Sequence, residues 1–580
     1  MARDWRDDRI VELESQLAAR DARIVELNAE NAALRAENER LAEENRTLRD
    51  QLAAKAGAGG DGGSGGEGSE HDRLRKKAEA QREGKRRRAA ARAGAKPKPR
   101  KRGKRSPRPP FVADETIVRD VPVDELPADA RPNGFVGRHF YGVCIVRRNV
   151  LIRLREYLSP TKGRLVAKLP EGWSGEFTPD TRVTICTLNI GGMTEPKIKE
   201  LFADHGVMIS AGQVNNILLD TADMLREEQR AAHRAGMENS PVVGIDGTYS
   251  TCDGEPKIYH ILGNEAFTSM TTTEHKDRVT VIGVLAGRPA GHRVGDHALA
   301  HPDLTEPARE VLRRVQGGEP VREGSDKDLD ALSNKLRDKG LTSKQMDKFL
   351  AGALPDARPD TLRAVREATA GQWLRMVLAF LPLVMLADGG TNYHGILAVL
   401  QLCWIHILRP FSLLVQSIDS ERVLSEGWAL YRRLCAWRES ERRDPTEAAA
   451  IGAEFDRVFD SERCKDDRVR HQVLLTRRHK EQLLTVLSHP YTPAENNGQE
   501  RGAKARVRKR DISFGPRSRR GLRAWDTMQS VVGTLRKLRI SPAAFIADRI
   551  TRGHRFERLD VLVKNECVRR YGARSATGTF

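Results

Sequence analysis

The stretches that decide the fold are PVVGID (residues 241–246) and LPLVMLAD (residues 381–388), two short apolar runs that each end on an aspartate. Short runs rich in valine, isoleucine and leucine are typical of buried strands. We therefore predict an α/β protein in which Asp246 and Asp388 lie at the ends of two strands of one sheet. The alternative is that each aspartate only begins a turn, because both precede glycine and Asp-Gly is a strong turn signal.

A third carboxylate follows in PAENNGQERGAKARVRKR (residues 493–510), where Glu500 lies just inside a predicted helix. Taken alone, Glu500 is explained as well by the favourable interaction of a first-turn glutamate with the helix dipole. Three carboxylates at one sheet edge, however, supply the hard oxygen ligands that divalent cations prefer. Two such ions about 4 Å apart stabilise the attacking and leaving oxygens of phosphoryl transfer. The sequence therefore predicts a phosphoryl-transfer site at Asp246, Asp388 and Glu500.

Three blocks of this sequence resemble the insertion-sequence-sixty-six family of transposases. Residues 496–546 contain the family's Asn-Asn-x-x-Glu-Arg helix start and its Gly-x-x-Ala-Trp helix. Residues 388–410 contain an Asp-Gly-x-x-x-Tyr segment followed by Gln-x-Cys-Trp-x-His, and residues 246–263 are similar to the family's first-aspartate strand and hairpin. The resemblance extends over residues 180–550, approximately.

The resemblance implies a bacterial insertion-sequence transposase of the Asp-Asp-Glu (DDE) class with a ribonuclease-H-like mixed-sheet core. It implies that Asp246, Asp388 and Glu500 are catalytic ligands of Mg²⁺, with Mn²⁺ as a substitute. The implied partners are double-stranded DNA, as element ends and as target, and accessory transposition proteins. Three alternatives stay open: a domesticated, catalytically inactive DNA-binding protein derived from a transposase, a structure-specific nuclease of the same fold, and a coiled-coil transcription factor.

The net charge of +19 is concentrated in one segment, because residues 71–110 hold 18 lysines and arginines against three acidic residues. This segment has too few apolar residues to offset the entropy that it would lose on folding, so we predict that it is disordered. We expect it to bind DNA phosphates without sequence preference and with strong salt dependence. The residues that we assign to this contact are Arg86, Arg87, Arg88, Lys101 and Arg102. The alternative is a linker that only increases solubility.

Residues 1–55 carry a heptad pattern with leucine at most d positions. The a positions are Ile10, Leu17, Ile24, Asn31, Asn38, Asn45 and Leu52. Leucine at d with asparagine at a favours a parallel two-stranded coiled coil, so we predict a homodimer through this stem. A lone charged helix is the alternative. A glycine-rich tether follows, and with the basic segment it forms a linker over residues 56–110.

Residues 111–180 are expected to form a small β-containing domain. Many relatives in the resembled family carry a Cys/His zinc motif at this position. Here Cys144 stands alone with His139 as the nearest imidazole, whereas tetrahedral zinc needs four ligands. We therefore predict no zinc.

The cellular location is predicted from what the sequence lacks. Its seven cysteines form no Cys-x-x-Cys pair, which is typical of reduced thiols in the cytoplasm. No stretch approaches the roughly 20 apolar residues of a membrane span, and charges within the first eight residues argue against a signal peptide. We expect a bacterial cytoplasmic protein that is associated with the nucleoid and has no membrane partner.

A helix-turn-helix pattern occupies residues 192–220, within a predicted DNA-binding segment at 181–235. Thr194 is positioned to cap the first helix, Gly206 to form the turn and Ser210 to cap the second helix. The outward-facing side chains are Gln213, Asn215 and Asn216. Glutamine and asparagine can read adenine in the major groove, so we predict DNA contact; the alternative is a helix pair that serves packing alone.

The catalytic domain is predicted at residues 236–550, with insertions at about 287–370 and 408–490 and a C-terminal tail at 551–580. Cations on the helix after Glu500 are expected to line the path of the DNA backbone. They are Arg501, Lys504, Arg506, Arg508, Lys509 and Arg510. Cys403 and His406 are interpreted as supports of the second strand; alternatively, His406 orients a phosphate or water near Asp388.

Overall fold

The computed structural model describes residues 146–573 except 323, 415 and 416, together with scattered residues between 113 and 138. The predicted stem at 1–55 and the linker at 56–110 lie outside the described residues, and so do His139 and Cys144. What we predict for these parts of the chain stays a prediction. This includes DNA contact by Arg86, Arg87, Arg88, Lys101 and Arg102.

The described residues contain nine strands. They are β1 (Glu156–Ser159), β2 (Gly163–Val166), β3 (Val242–Cys252), β4 (Glu255–Gly263), β5 (Thr268–Thr273), β6 (Gly291–His292), β7 (Leu341–Thr342), β8 (Val384–Ala387) and β9 (Val399–Leu402).

The helices fall into three stretches of the described chain. Those before β8 are α1 (Pro179–Ile190), α2 (Glu195–Asp204), α3 (Ala211–Glu238), α4 (Arg278–Ala286), α5 (Asp296–Leu299), α6 (Glu306–Gly317), α7 (Lys327–Asp338), α8 (Ser343–Ala353) and α9 (Pro359–Val377). Those after β9 and before Asn497 are α10 (Trp404–Leu408), α11 (Ile418–Glu439), α12 (Pro445–Val458), α13 (Asp467–Arg477), α14 (Lys480–Leu483) and α15 (Thr485–Ser488). The last four are α16 (Asn497–Ser513), α17 (Arg519–Lys537), α18 (Pro542–Thr551) and α19 (Leu559–Tyr571).

Five strands form one mixed sheet in the order β5-β4-β3-β8-β9. β3, β4 and β5 pair antiparallel, whereas β8 and β9 run parallel to β3 on its other side. Because a parallel neighbour needs a crossover connection, the chain passes through α4 to α9 before β8. The mixed α/β class predicted from the sequence is confirmed.

Asp246 lies inside β3 and not at its end. The strand continues to Cys252, and Asp246 pairs with Ile261 of β4. The hairpin turns instead at Asp253 and Gly254, whose φ angles are 53° and 79°. The turn interpretation of Asp246 is therefore wrong, and so is the prediction that the strand ends there. Asp388 does follow directly after the last residue of β8.

The hydrophobic core consists of three main clusters in the described residues. The largest lies between the sheet and the helices α1, α3, α17 and α19. A second cluster runs from Val294 to Ala368 and a third from Leu402 to Ala494. These two overlap the segments predicted as insertions, and each has a core of its own.

The predicted helix-turn-helix segment forms α2 and α3. Thr194 and Ser210 are the N-cap residues, and Gly206 adopts a φ of 70° between the helices. α3 is 28 residues long and ends at Glu238, whereas the predicted pattern ended at residue 220. The helix continues because its later turns pack in the main core.

The C-terminal segment predicted as a tail includes the helix α19. Leu559, Val563 and Cys567 of this helix are buried against the main core. Among the described residues, no helix is long and apolar enough to cross a membrane.

Candidate active site

The sheet register places Asp246 and Asp388 on neighbouring strands. β3 and β8 pair in parallel through Val242 with Val384 and through Gly244 with Leu386. Asp246 comes two residues after Gly244, and Asp388 comes two residues after Leu386. Because side chains alternate along a strand, both aspartates lie on the same face of the sheet as Gly244 and Leu386. Neighbouring strands are roughly 4.8 Å apart. The sheet therefore holds the two carboxylates side by side, just beyond the last parallel pair.

Two buried amides fix the start of α16 over the sheet. Asn496 donates from Nδ2 to the carbonyl oxygen of Ile245 at 2.8 Å, and Gln499 donates from Nε2 to that of Gly263 at 2.7 Å. The helix can approach this closely because residue 244 is glycine: a Cβ atom there would lie 2.7 Å from Gln499 Nε2. Glu500, the next residue, is thereby positioned by β3 and β4.

Electrostatics show that the three carboxylates share one environment. The pKa of Asp246 is raised to about 6, first by burial and then by the negative charge of Asp388, with a smaller contribution from Glu500. Lys276 and the backbone N–H of Gly247, which donates to Asp246 Oδ1 at 2.8 Å, act in the opposite direction. The structure thus brings together the three acids that the sequence singles out.

Lys276 is a residue of this site that sequence reasoning missed. Its Nζ lies 3.9 Å from Asp388 Oδ2 and 5.3 Å from the centre of the Tyr393 ring, and its side chain is 9% exposed. It precedes α4 in a charged loop, so no apolar run or motif marked it. The tyrosine of the Asp-Gly-x-x-x-Tyr segment was the nearest available signal, since its ring packs beside this ammonium group.

Two cations and a histidine surround Glu500. His406 Nδ1 and Arg409 Nη2 each lie 3.8 Å from Glu500 Oε1, and Lys504 Nζ lies 4.0 Å from Oε2. His406 is thus a neighbour of Glu500, whereas the alternative from the sequence placed it near Asp388. Cys403 accepts a hydrogen bond from the backbone N–H of Asn496 at 3.3 Å, which agrees with a supporting role for this thiol.

The acids of this site fit a hard divalent cation. Carboxylate oxygens are the donors that Mg²⁺ and Mn²⁺ prefer. Glu500 Oε1 is buried and accepts no hydrogen bond, so this oxygen is available as a ligand for a metal ion. Burial raises the pKa of Asp246 most, and repulsion from Asp388 and Glu500 adds to it; a bound cation would relieve that repulsion.

A second group of potential ligands occurs in the described residues. His301, Asp303 and Glu367 bring one ligand atom each within 4.8 Å of one another, whereas Asp246, Asp388 and Glu500 do not form such a tight group. Glu367 is already paired with Arg278 at 2.6 Å. Glu367 thus has a closer protein cation than Asp388 or Glu500, whose nearest cations are 3.9 and 3.8 Å away, and the three acids form the wider arrangement.

The cations predicted to line a DNA path divide into two sets. Arg501, Lys504 and Arg508 are exposed on α16. Arg506 is only 2% exposed, and its guanidinium lies 4.6 Å from the Tyr259 ring and 4.7 Å from the Trp525 ring. The prediction of DNA contact is therefore wrong for Arg506, because two aromatic rings from other parts of the sequence enclose its side chain.

The remaining two cations of this set make contacts within the protein. Lys509 donates to Asn189 Oδ1 at 2.8 Å and lies over the Trp525 ring, and its burial lowers its pKa to about 8. Arg510 pairs with the adjacent Asp511 of the same helix at 3.1 Å, and its Nη1 donates to the carbonyl oxygen of Tyr249 in β3 at 3.5 Å. Both residues thus tie α16 to its surroundings.

The predicted base-reading residues lie at the start of α3. Asn215 and Asn216 are exposed, whereas Gln213 is half-buried next to the Ser210 cap. None of them belongs to the elements that carry the three acids. Base reading by these residues stays a prediction.

The chain is similar to known proteins over part of its length. A family model described as "Transposase IS66 family" matches residues 356–524, a range that contains Asp388 and Glu500. This match confirms the resemblance noted in the sequence. The chain is also similar to "Uncharacterized protein y4jO" of Sinorhizobium fredii (strain NBRC 101917 / NGR234), with 27% identity over 339 residues, which are 54% of this chain and 94% of that protein.

Proposed function

We propose that this protein is a DNA transposase that cleaves DNA at the ends of its own mobile element and joins the freed ends to target DNA. The match to the transposase family supports a transposase-related function. The observation that carries the finer proposal is the convergence of three acids, in which Asp388 and Glu500 both raise the pKa of Asp246. The central strand β3 has two antiparallel strands on one side and two parallel strands on the other, and this mixed sheet suits a ribonuclease-H-like core.

Asp246, Asp388 and Glu500 would hold the divalent ions, Mg²⁺ or Mn²⁺. When bound, such ions stabilise charge on the attacking and leaving oxygens of phosphoryl transfer. The protein contributes no covalent nucleophile. Water attacks the phosphodiester at the element end and releases a 3′-hydroxyl, and this hydroxyl then attacks a phosphodiester of target DNA and displaces the 3′-oxygen of the target strand. The task of the side chains is therefore to position the reacting groups.

The residues around the acids hold them in place. Asp246 and Asp388 are fixed by adjacent strands, and Glu500 is fixed by the two amides that anchor α16. Lys276 neutralises part of the charge of the aspartate pair, and Arg409 does the same for Glu500. Such preorganised charge is worth more in a partly buried site than in water.

DNA binding would involve three further parts of the chain. The basic segment at 71–110 supplies non-specific affinity, the side chains of Gln213, Asn215 and Asn216 read bases, and Arg501, Lys504 and Arg508 contact the backbone near the acids. The stem at 1–55 joins two copies of the chain, so that two element ends can be held together.

The experiment that tests this function is strand cleavage and joining by the purified protein. The substrate is DNA with the inverted repeats that flank the gene, in Mg²⁺ or Mn²⁺. We expect activity in the wild type and none in Asp246→Asn, Asp388→Asn or Glu500→Gln. Asp253→Asn, an equally conservative change in the hairpin turn, is the control and should stay active.

Full activity in one of the three variants would remove that residue from the site. Cleavage that continues in excess chelator would contradict the mechanism. DNA binding without any cleavage by the wild type would favour the domesticated, inactive alternative.

A further inference from the structure

A large cavity lies beside the three acids, at the end of the sheet where β3 begins and β4 ends. Its volume is about 780 Å³, and Val242, Gly244 and Leu386 form part of its floor. Gly244 and Leu386 are each two residues from an aspartate of the site, a distance of roughly 7 Å along a strand. The first turn of α16 stands between the two regions, with Glu500 at the acids and Arg501 in the wall of the cavity.

The cavity has a surplus of positive charge. Seven cationic and three acidic side chains line it. Among the described residues, five of the arginines have no ion pair: Arg438, Arg443, Arg501, Arg536 and Arg539. Arginines without an ion pair, from α11, α16, α17 and the segments that follow α11 and α17, therefore face one space. Two of them donate to backbone carbonyl oxygens: Arg438 to that of Pro490 and Arg443 to that of Arg438.

Fold stability accounts for only some of these charges. Arg536 and Lys537 lie in the last turn of α17, where cations interact favourably with the helix dipole, and Lys537 also donates to the carbonyl oxygens of Asn264 and Phe267. Arg443 and Arg539 lie beyond the ends of their helices and are exposed. Burial, and next the positive charge of Arg501, lower the pKa of Lys537 to about 7, and Glu265 acts in the opposite direction.

We propose that this cavity binds the phosphate backbone of DNA beside the point of cleavage. Arginine is well suited to phosphate because its planar guanidinium can donate two parallel hydrogen bonds. The open shape and the position next to the acids favour a DNA strand that passes the active site over a free nucleotide. This inference rests on the proposed function, since it takes DNA as the ligand.

The test removes three charges from the cavity and three from elsewhere. The cavity variant carries Arg443→Gln, Arg536→Gln and Arg539→Gln. The control variant carries Arg432→Gln, Arg555→Gln and Lys564→Gln, three exposed cations that do not line the cavity. Both full-length proteins have the same net charge and keep the basic segment, so the comparison depends on where the three charges are removed and not on how many.

Binding is measured by fluorescence anisotropy with a random-sequence 40-base-pair duplex in chelator, at several salt concentrations. If the three arginines contact phosphates, the slope of log K against log salt should fall by up to roughly 2.7 in the cavity variant, from about 0.9 per contact. The control variant should keep nearly the wild-type slope. Thermal unfolding checks that both variants are folded.

Equal slopes in the two variants would overturn the proposal, and so would binding of inorganic pyrophosphate at the cavity with no loss of duplex affinity. The assay needs neither metal nor cleavage. A cavity-specific loss of slope in a protein that cuts no DNA would therefore keep this inference and contradict the proposed catalysis alone.

Discussion

Replacing Gly244 by alanine is expected to disturb the active site without touching a carboxylate. The new Cβ atom would lie 2.7 Å from Gln499 Nε2 and 2.8 Å from Asn496 Oδ1, so both buried amides must move. Moving them breaks hydrogen bonds to the carbonyl oxygens of Ile245 and Gly263. An unsatisfied buried polar group costs about 1–3 kcal/mol, so losing one or both of these bonds predicts a cost of about 1–6 kcal/mol.

The functional effect should be larger than the effect on stability. Asn496 and Gln499 set the position of Glu500, and a displacement of about 1 Å at a reacting group can cost roughly 100-fold in rate. The assay compares Mg²⁺-dependent strand cleavage and thermal unfolding of Gly244→Ala with those of Gly498→Ala. Gly498 is on the same helix with open space around it, so alanine should be neutral or slightly stabilising there. Equal behaviour of the two variants would refute the anchoring of α16 through Gly244.

Three further predictions concern charge and assembly. Without metal, the raised pKa of Asp246 means that the folded state binds more protons than the unfolded state between about pH 4 and 6, so stability falls as pH rises through this window. Asp246→Asn should therefore stabilise the metal-free protein at pH 7.5 by up to about 3 kcal/mol in urea unfolding while abolishing cleavage; a loss of stability would contradict the electrostatic account. Arg506→Ala should lower the free energy of unfolding by about 3–5 kcal/mol, because it leaves Asp526 buried without its cation. Arg508→Ala should leave the stability unchanged and lower the salt slope of DNA binding by about 0.9. A peptide of residues 1–55 should be a helical dimer that Asn38→Ile stabilises, and a monomer in sedimentation equilibrium would exclude the coiled coil.

Local sequence signals predicted the elements whose causes are local. Asp388 follows an apolar strand, Glu500 lies inside a helix, and Thr194 and Ser210 cap helices, because each depends on a few neighbouring residues. The Asp-Gly pair at residues 253–254 forms the turn of the hairpin that the resemblance implied for residues 246–263.

The errors arose where distant parts of the chain decide the outcome. β3 continues past Asp246 because β4 pairs with it as far as Cys252, and no local pattern distinguishes this Asp-Gly from a turn. Arg506 is enclosed by Tyr259 and Trp525, although a run of cations on a helix usually faces solvent. Lys276 reaches the aspartates from a loop, and only the folded arrangement brings it there.

The central claim is that Asp246, Asp388 and Glu500 bind the catalytic divalent ions, and Mn²⁺ binding tests it most directly. Free Mn²⁺ is measured by electron paramagnetic resonance during titration of the full-length protein. We expect Asp246→Asn, Asp388→Asn and Glu500→Gln each to weaken Mn²⁺ binding at least 10-fold, while Asp303→Asn, in the second group of potential ligands, leaves it unchanged. Undiminished binding in the three variants, or a loss confined to Asp303→Asn, would contradict the claim.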